Sequence, residues 1–251
     1  MSVVLNYFEF DIILIILISV FCGALIKGVV GIGMSMFSVP IIALFLPPTT
    51  SMILLCIPIF VTNILQIQIH KGISSYRFAP MFAALALGIM VGCTLILEMN
   101  ITTISKIIAV SIIFAAIVNL VGLNFQNIKP NLEKKITIPL GFFSGIIGGL
   151  SNMYSPYILA YLVSTNLEKE ALIRTIATMY FLGSLLIFPI WFYNGLGNIN
   201  DIAWSFILLF PAVIGQKIGT KIRDQITNET FRTIILYILI LIGALLLIKN
   251  I

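Results

Sequence analysis

Charged and ionisable side chains are scarce in this 251-residue sequence. Only 9% of the residues are Asp, Glu, Lys or Arg, histidine occurs once, and the three cysteines stand far apart in apolar stretches. These residues are too few to cover the surface of a water-soluble fold of this length. No His, Cys, Asp or Glu cluster has ligand spacing, so we expect no metal site and no cofactor. The sequence also lacks a phosphate loop and a Ser-His-Asp order, and we therefore expect no enzyme.

Hydrophobic residues make up 60% of the chain, and the mean hydropathy is +1.16. They form runs that are apolar on every face, which is typical of membrane helices and not of barrel strands that alternate between lipid and water. The fold class predicted is therefore an all-α integral membrane protein. The runs cover residues 11–26, 32–46, 52–69, 78–97, 104–123, 136–147, 152–163, 171–193, 202–217 and 233–248.

A glycine-rich motif followed by serine and proline occurs twice. Gly33, Ser35 and Pro40 recur without a gap as Gly149, Ser151 and Pro156. This duplication predicts two repeats of about five apolar segments each, at residues 1–123 and 136–251, joined by a polar cytoplasmic linker at residues 124–135. Paired, Gly/Pro-interrupted segments in two halves are the usual sequence sign of a transporter binding site.

Lysine and arginine collect after the third, fifth and ninth segments, whereas the loop 194–201 has neither. By the positive-inside rule this pattern predicts inverted repeats, with external N- and C-termini. Segments six and seven hold about 12 residues each, roughly 18 Å of helix against a hydrocarbon core of roughly 30 Å. Half-membrane pieces are therefore expected, and both re-entrant hairpins and full crossings stay open.

The order and doubling of these elements resemble the TauE/SafE sulfite exporter family over nearly the whole chain. The resemblance is carried by Gly28, Gly31, Gly33 and Pro40, by Gly145, Gly148, Gly149 and Pro156, by His70-Lys71-Gly72, and by the pairs Gly88/Gly92 and Gly215/Gly219. It implies a multi-pass plasma-membrane carrier for sulfite, organosulfonates or related small anions. The sequence departs from the family's richer glycine pattern at Met34 and Leu150.

Lys27 directly precedes the first glycine motif. A lysine buried in a membrane protein usually has a function, here the attraction of an anion, but a lysine near a helix end can also extend to the interface. Both interpretations stay open. The second repeat has no lysine at the matching place, so the two half-sites are not expected to be equivalent.

Small polar residues follow both glycine motifs, at the expected starts of helices. They are Ser35 and Ser38 in the first repeat and Ser151, Asn152 and Ser155 in the second. Free backbone N–H groups at helix starts bind oxyanions, and Gly31, Gly33, Gly148 and Gly149 would let a ligand approach the backbone at helix breaks. Ordinary capping and helix packing are the competing explanation.

Asn63 and Gln66 lie on one face of the third segment, and Thr178 lies one turn inside the eighth. These polar groups either line a pathway or bond neighbouring helices. The substrate is predicted between the helix starts at Ser35 and Ser151, with Asn63 and Lys27 completing its shell. All carboxylates fall at or beyond segment ends, so a carboxylate proton relay is hard to build.

The favoured function is a secondary transporter, in the exporting direction, of a small sulfur-containing anion bound near the midplane, with one repeat rocking against the other. A passive anion channel and a membrane scaffold without transport are the alternatives. The partners predicted are the anion and the lipid bilayer. Nucleic acid is not expected, because the net charge of +5 is spread over loops. A homo-oligomer is left open.

Overall fold

The structure is a computed structural model that describes residues 9–67, 76–121, 130–154 and 169–223, with residues 158, 159, 161, 162, 165, 167, 225 and 237. Every regular element in these ranges is helical. The helices are α1 (Phe10–Val30), α2 (Met34–Ala43), α3 (Pro48–Leu54), α4 (Cys56–Ile67), α5 (Ala79–Leu95), α6 (Ile101–Val121), α7 (Pro130–Ser151), α8 (Lys169–Tyr193) and α9 (Ile199–Ile222). The predicted segment 233–248 lies, apart from residue 237, outside the described residues.

Four of the described helices are long and apolar enough to cross a membrane. They are α1, α5 with its 3₁₀ extension to Glu98, α8 from Glu170 onward, and α9. A fifth crossing results if α3 and α4, which bend by 40° at Leu55, count as one. The all-helical membrane architecture expected from the sequence is therefore confirmed, with four to five candidate spans among the described residues.

The first glycine motif turns the chain back on itself. Gly31 ends α1 in the left-handed region at a φ of 91°, and its N–H donates to the Lys27 carbonyl at 2.8 Å. Gly33, at a φ of 121°, precedes the first residue of α2. Only glycine adopts such angles without strain. The Ser38 hydroxyl in α2 then donates to the Ser19 carbonyl in α1 at 2.9 Å, so α2 folds back along α1. The helix break predicted at Gly31 and Gly33 is confirmed.

The second motif differs from its prediction in two ways. Helix α7 has 22 residues, because the polar residues 130–135 of the predicted linker already belong to it. Helix α7 is therefore longer than the apolar segment six predicted from the sequence, but it is not among the described helices that are long and apolar enough to cross a membrane. Gly148 and Gly149 lie in the last turn of α7, and the chain leaves the helix at Asn152, whose φ is 59°. The break predicted at these two glycines is wrong, because α7 continues through them.

Glycines of α5 and α7 bring the two backbones into direct contact. A Cβ on Gly88 would lie 3.0 Å from the Gly145 Cα, and one on Gly92 would lie 3.0 Å from the Gly149 Cα. A step of four residues along α5, from Gly88 to Gly92, matches a step of four residues in the same direction along α7, so the two helices run parallel. Without a hydrophobic force between helices in lipid, this close approach supplies the packing energy.

Helices α1 and α9 pack in the same way. A Cβ on Gly219 would lie 2.9 Å from the Gly28 Cα, and one on Gly215 would lie 3.3 Å from the Ala24 Cβ. These two helices also run parallel. The first apolar segment of each predicted repeat (α1 or α7) thus packs on the fourth apolar segment of the other repeat (α9 or α5).

A polar cluster ties the start of α7 to the 3₁₀ turn Tyr76–Phe78 that precedes α5. Arg77 forms a salt bridge with Glu133 at 2.8 Å, and the Tyr161 hydroxyl donates to the same carboxylate. Burial alone would raise the pKa of Glu133, but the hydrogen bonds from Tyr161 and Arg77 and the guanidinium charge outweigh it and lower that pKa.

The glycine contacts predict that Gly92→Val destabilises the protein by about 1–3 kcal/mol, because the new side chain would overlap the Ile146 carbonyl across the helix interface. Val91→Leu is the control, since Val91 is 38% exposed on the same helix and should be neutral. Thermal unfolding in detergent measures both. Equal melting temperatures for the two variants would show that the interface is not tightly packed.

The lowered pKa of Glu133 predicts a stabilisation that is present above the ordinary carboxyl pKa of about 4.3 and is lost as the pH falls through the lower folded-state value. Glu133→Gln should therefore be less stable than the native protein at pH 7, by no more than about 1 kcal/mol since Arg77 is half exposed. This difference should shrink as the pH falls below 4. Melting temperatures measured across this range test the prediction, and a constant difference would contradict it.

Candidate functional site

Lys27 is buried, with 4% of its surface exposed, near the end of α1. Its Nζ donates to Thr62 Oγ1 at 3.0 Å and to Asn63 Oδ1 at 2.5 Å. Within the described part of the chain no carboxylate lies within ion-pair distance of the Lys27 ammonium. The site therefore contains a buried lysine whose amino group contacts only neutral groups among the described residues, and of the two interpretations the structure supports burial.

The partners of Lys27 come from one polar stripe on α4. Thr62, Asn63 and Gln66 are all buried on this stripe, whereas the neighbouring Leu65 is 49% exposed. Gln66 Nε2 donates to the Gly31 carbonyl at 3.1 Å, so the stripe also braces the turn between α1 and α2. The inward orientation predicted for Asn63 and Gln66 is what a membrane interior imposes, since amides there need polar partners.

Next to Lys27 lies a cavity of about 10 Å³, which has room for about one water molecule. Its walls are formed by the end of α1, by the glycine turn, by the start of α2, and by one residue each of α4 and α8. The lining residues are Lys27, Gly31, Ile32, Gly33, Met34, Ser35, Ile59 and Tyr180. The backbone N–H groups at the start of α2 have no intrahelical partners, and they carry the positive end of the helix dipole. The cavity walls therefore combine a full charge with a helix N-terminus.

Two hydrogen-bond donors at this place have no partner among the residues that the structure describes. Lys27 uses two of the three N–H bonds of its ammonium. Asn63 Nδ2 is buried and unpartnered, because Asn63 Oδ1 is the atom that accepts from Lys27. A ligand that accepts hydrogen bonds and carries negative charge would satisfy both donors.

A second, larger cavity of about 460 Å³ lies between the ends of α4 and α9 and the start of α8. It is called the vestibule here, and it is lined by Leu65, Gln66, Glu170, Ile173, Gln216, Lys217, Ile218, Thr220, Lys221 and Arg223. Three of these residues are basic and one is acidic. The vestibule shares its wall with the Lys27 site, because Gln216 Nε2 donates to the Thr62 carbonyl at 2.9 Å and Gln66 bonds Gly31.

Arg223 joins three helix ends beside the vestibule. Its Nη2 and Nε donate to the Gly28 carbonyl of α1 at 2.6 and 3.0 Å, and its Nη1 lies 3.5 Å from Glu170 of α8. Because Gly28 follows Lys27 directly, this arginine holds the end of α1 in place next to the site.

The structure brings together five of the predicted site residues. Lys27, Gly31, Gly33 and Ser35 line the small cavity, and Asn63 bonds Lys27.

The other predicted site residues that the structure describes do not line this cavity. Ser38 bonds Ser19, as described above. The Ser151 and Thr178 hydroxyls donate to the carbonyls of Ile147 and Arg174 in their own helices, at 2.7 and 2.8 Å. Gly149 packs against α5, and Ser155 lies outside the described residues.

The second glycine motif reaches the site through two tyrosines. Tyr154 stacks on Tyr180 with ring centroids 4.3 Å apart and donates to the Tyr180 carbonyl at 3.0 Å, while a Cβ on Gly148 would collide with the Tyr154 ring. Asn152 is buried nearby in sequence, and its Nδ2 has no partner. Tyr180 itself lines the Lys27 cavity, so the second repeat contributes an aromatic wall instead of a charge.

Sequence reasoning missed Thr62, Tyr180, Gln216 and Arg223 as site residues. An amide inside an apolar run was an available signal for Gln216, as it was for Asn63. Tyr180 and Thr62 give no such signal, because both residue types are common in membrane helices. Among the described residues no group of His, Cys, Asp and Glu side chains could hold a metal ion.

The pairing of Lys27 with Asn63 predicts strong coupling between the two side chains. Asn63→Leu should destabilise the protein by about 3 kcal/mol, since it removes a partner of a buried charge. In the double variant with Lys27→Met most of that loss should be recovered, because no charge then remains to be solvated. A double-mutant cycle on unfolding free energies in detergent measures the coupling, and additive effects would contradict it.

Comparison with known proteins adds one finding. A family model described as "Sulfite exporter TauE/SafE" matches residues 15–246, nearly the whole chain. No curated protein and no solved structure matches the sequence.

Proposed function

Because the chain belongs to the TauE/SafE sulfite exporter family, we propose that it is a secondary transporter that exports a small sulfur-containing anion such as sulfite or an organosulfonate. The family is one of membrane anion exporters, which supports a transporter over an enzyme. The observation that carries the finer proposal is the buried Lys27 ammonium, which has two neutral partners and no carboxylate among the described residues.

The anion binds where Lys27, Asn63 and the start of α2 converge. Lys27 supplies the counter-charge, Asn63 Nδ2 donates a hydrogen bond, and the backbone N–H groups after Gly33 donate further ones. Oxyanions are commonly held in this way at helix N-termini, and the absence of a Cβ at Gly33 leaves the backbone accessible. Tyr180 and Tyr154 close the site from the second repeat, so the anion lies between the two halves.

Helix directions support inverted repeats. Gly31 and Lys27 of α1 lie beside Ile173 and Tyr180 of α8, respectively, so α1 and α8 are antiparallel.

Helices α5 and α8 run parallel, since Ile89 contacts Gly183 and Cys93 lies beside Trp191. Because α7 runs parallel to α5, the first helices of the two halves point in opposite directions, as an inverted duplication requires.

Basic side chains support the direction of transport. The vestibule carries Lys217, Lys221 and Arg223 at the end of α9, and the positive-inside rule places such an end in the cytoplasm. Anions from the cytoplasm would collect in this cavity next to Lys27. The proposed plasma-membrane orientation follows, with cytoplasmic vestibule and external termini.

The size of the inner cavity favours a carrier over a channel. At about 10 Å³ it holds about one water molecule and no sulfur oxyanion, so helices must move before a substrate enters. A carrier alternates between such closed states, whereas a channel needs a continuous pore. A scaffold without transport gives no reason for an uncompensated buried charge.

This proposal predicts that Lys27→Met reduces sulfite transport by about tenfold or more, because the substrate loses the counter-charge that Lys27 supplies in the cavity. Lys106→Met is the matched control, since Lys106 is exposed on α6 and should be neutral. Counterflow of radiolabelled sulfite in proteoliposomes measures transport.

Saturable counterflow that Lys27→Met abolishes and Lys106→Met preserves is the expected result. Ohmic anion current without counterflow would instead identify a channel. Equal transport by both variants would remove Lys27 from the substrate site.

A further inference from the structure

The charge of the Lys27 site limits the charge of its ligand. Around Lys27 the described wall residues of α2 and α4 are uncharged, and the Arg223 guanidinium beside Gly28 is paired with Glu170 of α8. The Lys217 and Lys221 side chains belong to the vestibule, beyond this wall. One positive charge therefore remains for a ligand that enters the cavity.

The amides at the vestibule wall place a second, independent constraint on the ligand, which concerns its hydrogen-bonding groups. Gln66 and Gln216 are both buried, with 7% and 5% of their surfaces exposed. Their Nε2 atoms donate to the carbonyls of Gly31 and Thr62, which fixes the orientation of both amides because a carbonyl accepts only from the nitrogen. Each Oε1 is left buried and without a donor.

An unpartnered buried acceptor is costly, and a ligand that donates a hydrogen bond would satisfy one of these two, which have no partner among the described residues. A fully deprotonated oxyanion has only acceptor oxygens and would be repelled by both amide oxygens. An anion with one O–H group would donate to one of them while its other oxygens accept from Lys27 and Asn63 Nδ2. The wall between the vestibule and the inner cavity therefore matches such a ligand.

From these two features we infer that the transported anion is singly charged and carries its own hydrogen-bond donor, as hydrogensulfite and hydroxylated sulfonates do. A dianion would leave one negative charge uncompensated in an apolar interior, where that is expensive. The inference rests on the proposed function, since it assumes that the substrate binds at Lys27.

Two matched ligand pairs test the two halves of the inference. Methanesulfonate and sulfate differ in charge, and isethionate and ethanesulfonate differ by one hydroxyl group. Isothermal titration of the full chain in detergent at pH 7 should show sulfate binding on the order of 100-fold more weakly than methanesulfonate. Isethionate should bind about five- to tenfold more tightly than ethanesulfonate.

Two variants assign these differences to the site. Lys27→Met should weaken all the monovalent anions. Gln216→Leu should abolish the advantage of isethionate over ethanesulfonate, whatever it does to the affinity for both, because it removes an acceptor for the hydroxyl group without removing the charge. Unchanged melting temperatures and elution profiles would show that both variants are folded.

The outcomes separate this inference from the proposed function. If Lys27→Met binds every anion as the native protein does, the proposed site is wrong. If native binding depends on Lys27 but sulfate binds as tightly as methanesulfonate, the site stands and the single charge is refuted. If isethionate and ethanesulfonate bind equally, or if Gln216→Leu keeps their difference, the required donor is refuted.

Discussion

A buried ammonium group in an apolar interior is the constraint around which this structure is arranged. Polar groups at such depth need partners, and Lys27 takes them from one stripe of α4. The same stripe reaches the turn between α1 and α2 through Gln66 and helix α9 through Gln216. The neutral groups that solvate the charge thus also hold four helices together. These neutral groups provide no negative charge, so an anionic substrate could act as the counter-ion of Lys27. This is the link between the fold and anion transport.

Features that depend on local chemistry could be predicted from the sequence. The apolar runs identified the membrane helices, and the chain reverses at Gly31 and Gly33 because only glycine adopts their backbone angles. Helix α7 was misjudged because its first turns are polar and because glycine does not by itself end a helix whose hydrogen bonds continue. Its last glycines serve close packing on α5, which the sequence alone could not distinguish from a break.

For the site, the sequence could supply candidates but not their contacts. Lys27 and Asn63 were found because charged and amide groups are conspicuous in apolar runs. Which hydroxyl faces the lysine depends on the position of α4, and the part played by Tyr180 depends on the stacking of Tyr154. Both depend on how the helices pack in three dimensions, which the sequence does not show directly. The hydroxyls of Ser151 and Thr178, by contrast, bond carbonyls of their own helices, the commonest use of such residues in membranes.

The glycine contacts also determine which parts of the molecule can move as rigid bodies. Backbones that touch at Gly28 and Gly219, or at Gly92 and Gly149, have no flexible side chains between them to absorb a displacement. A shift of α1 must therefore carry α9 with it, and a shift of α5 must carry α7. These units consequently cut across the two predicted repeats, since each combines a helix from one half of the chain with a helix from the other. A motion that opens the site would therefore follow the boundary between the helix pairs and not the boundary between the predicted repeats.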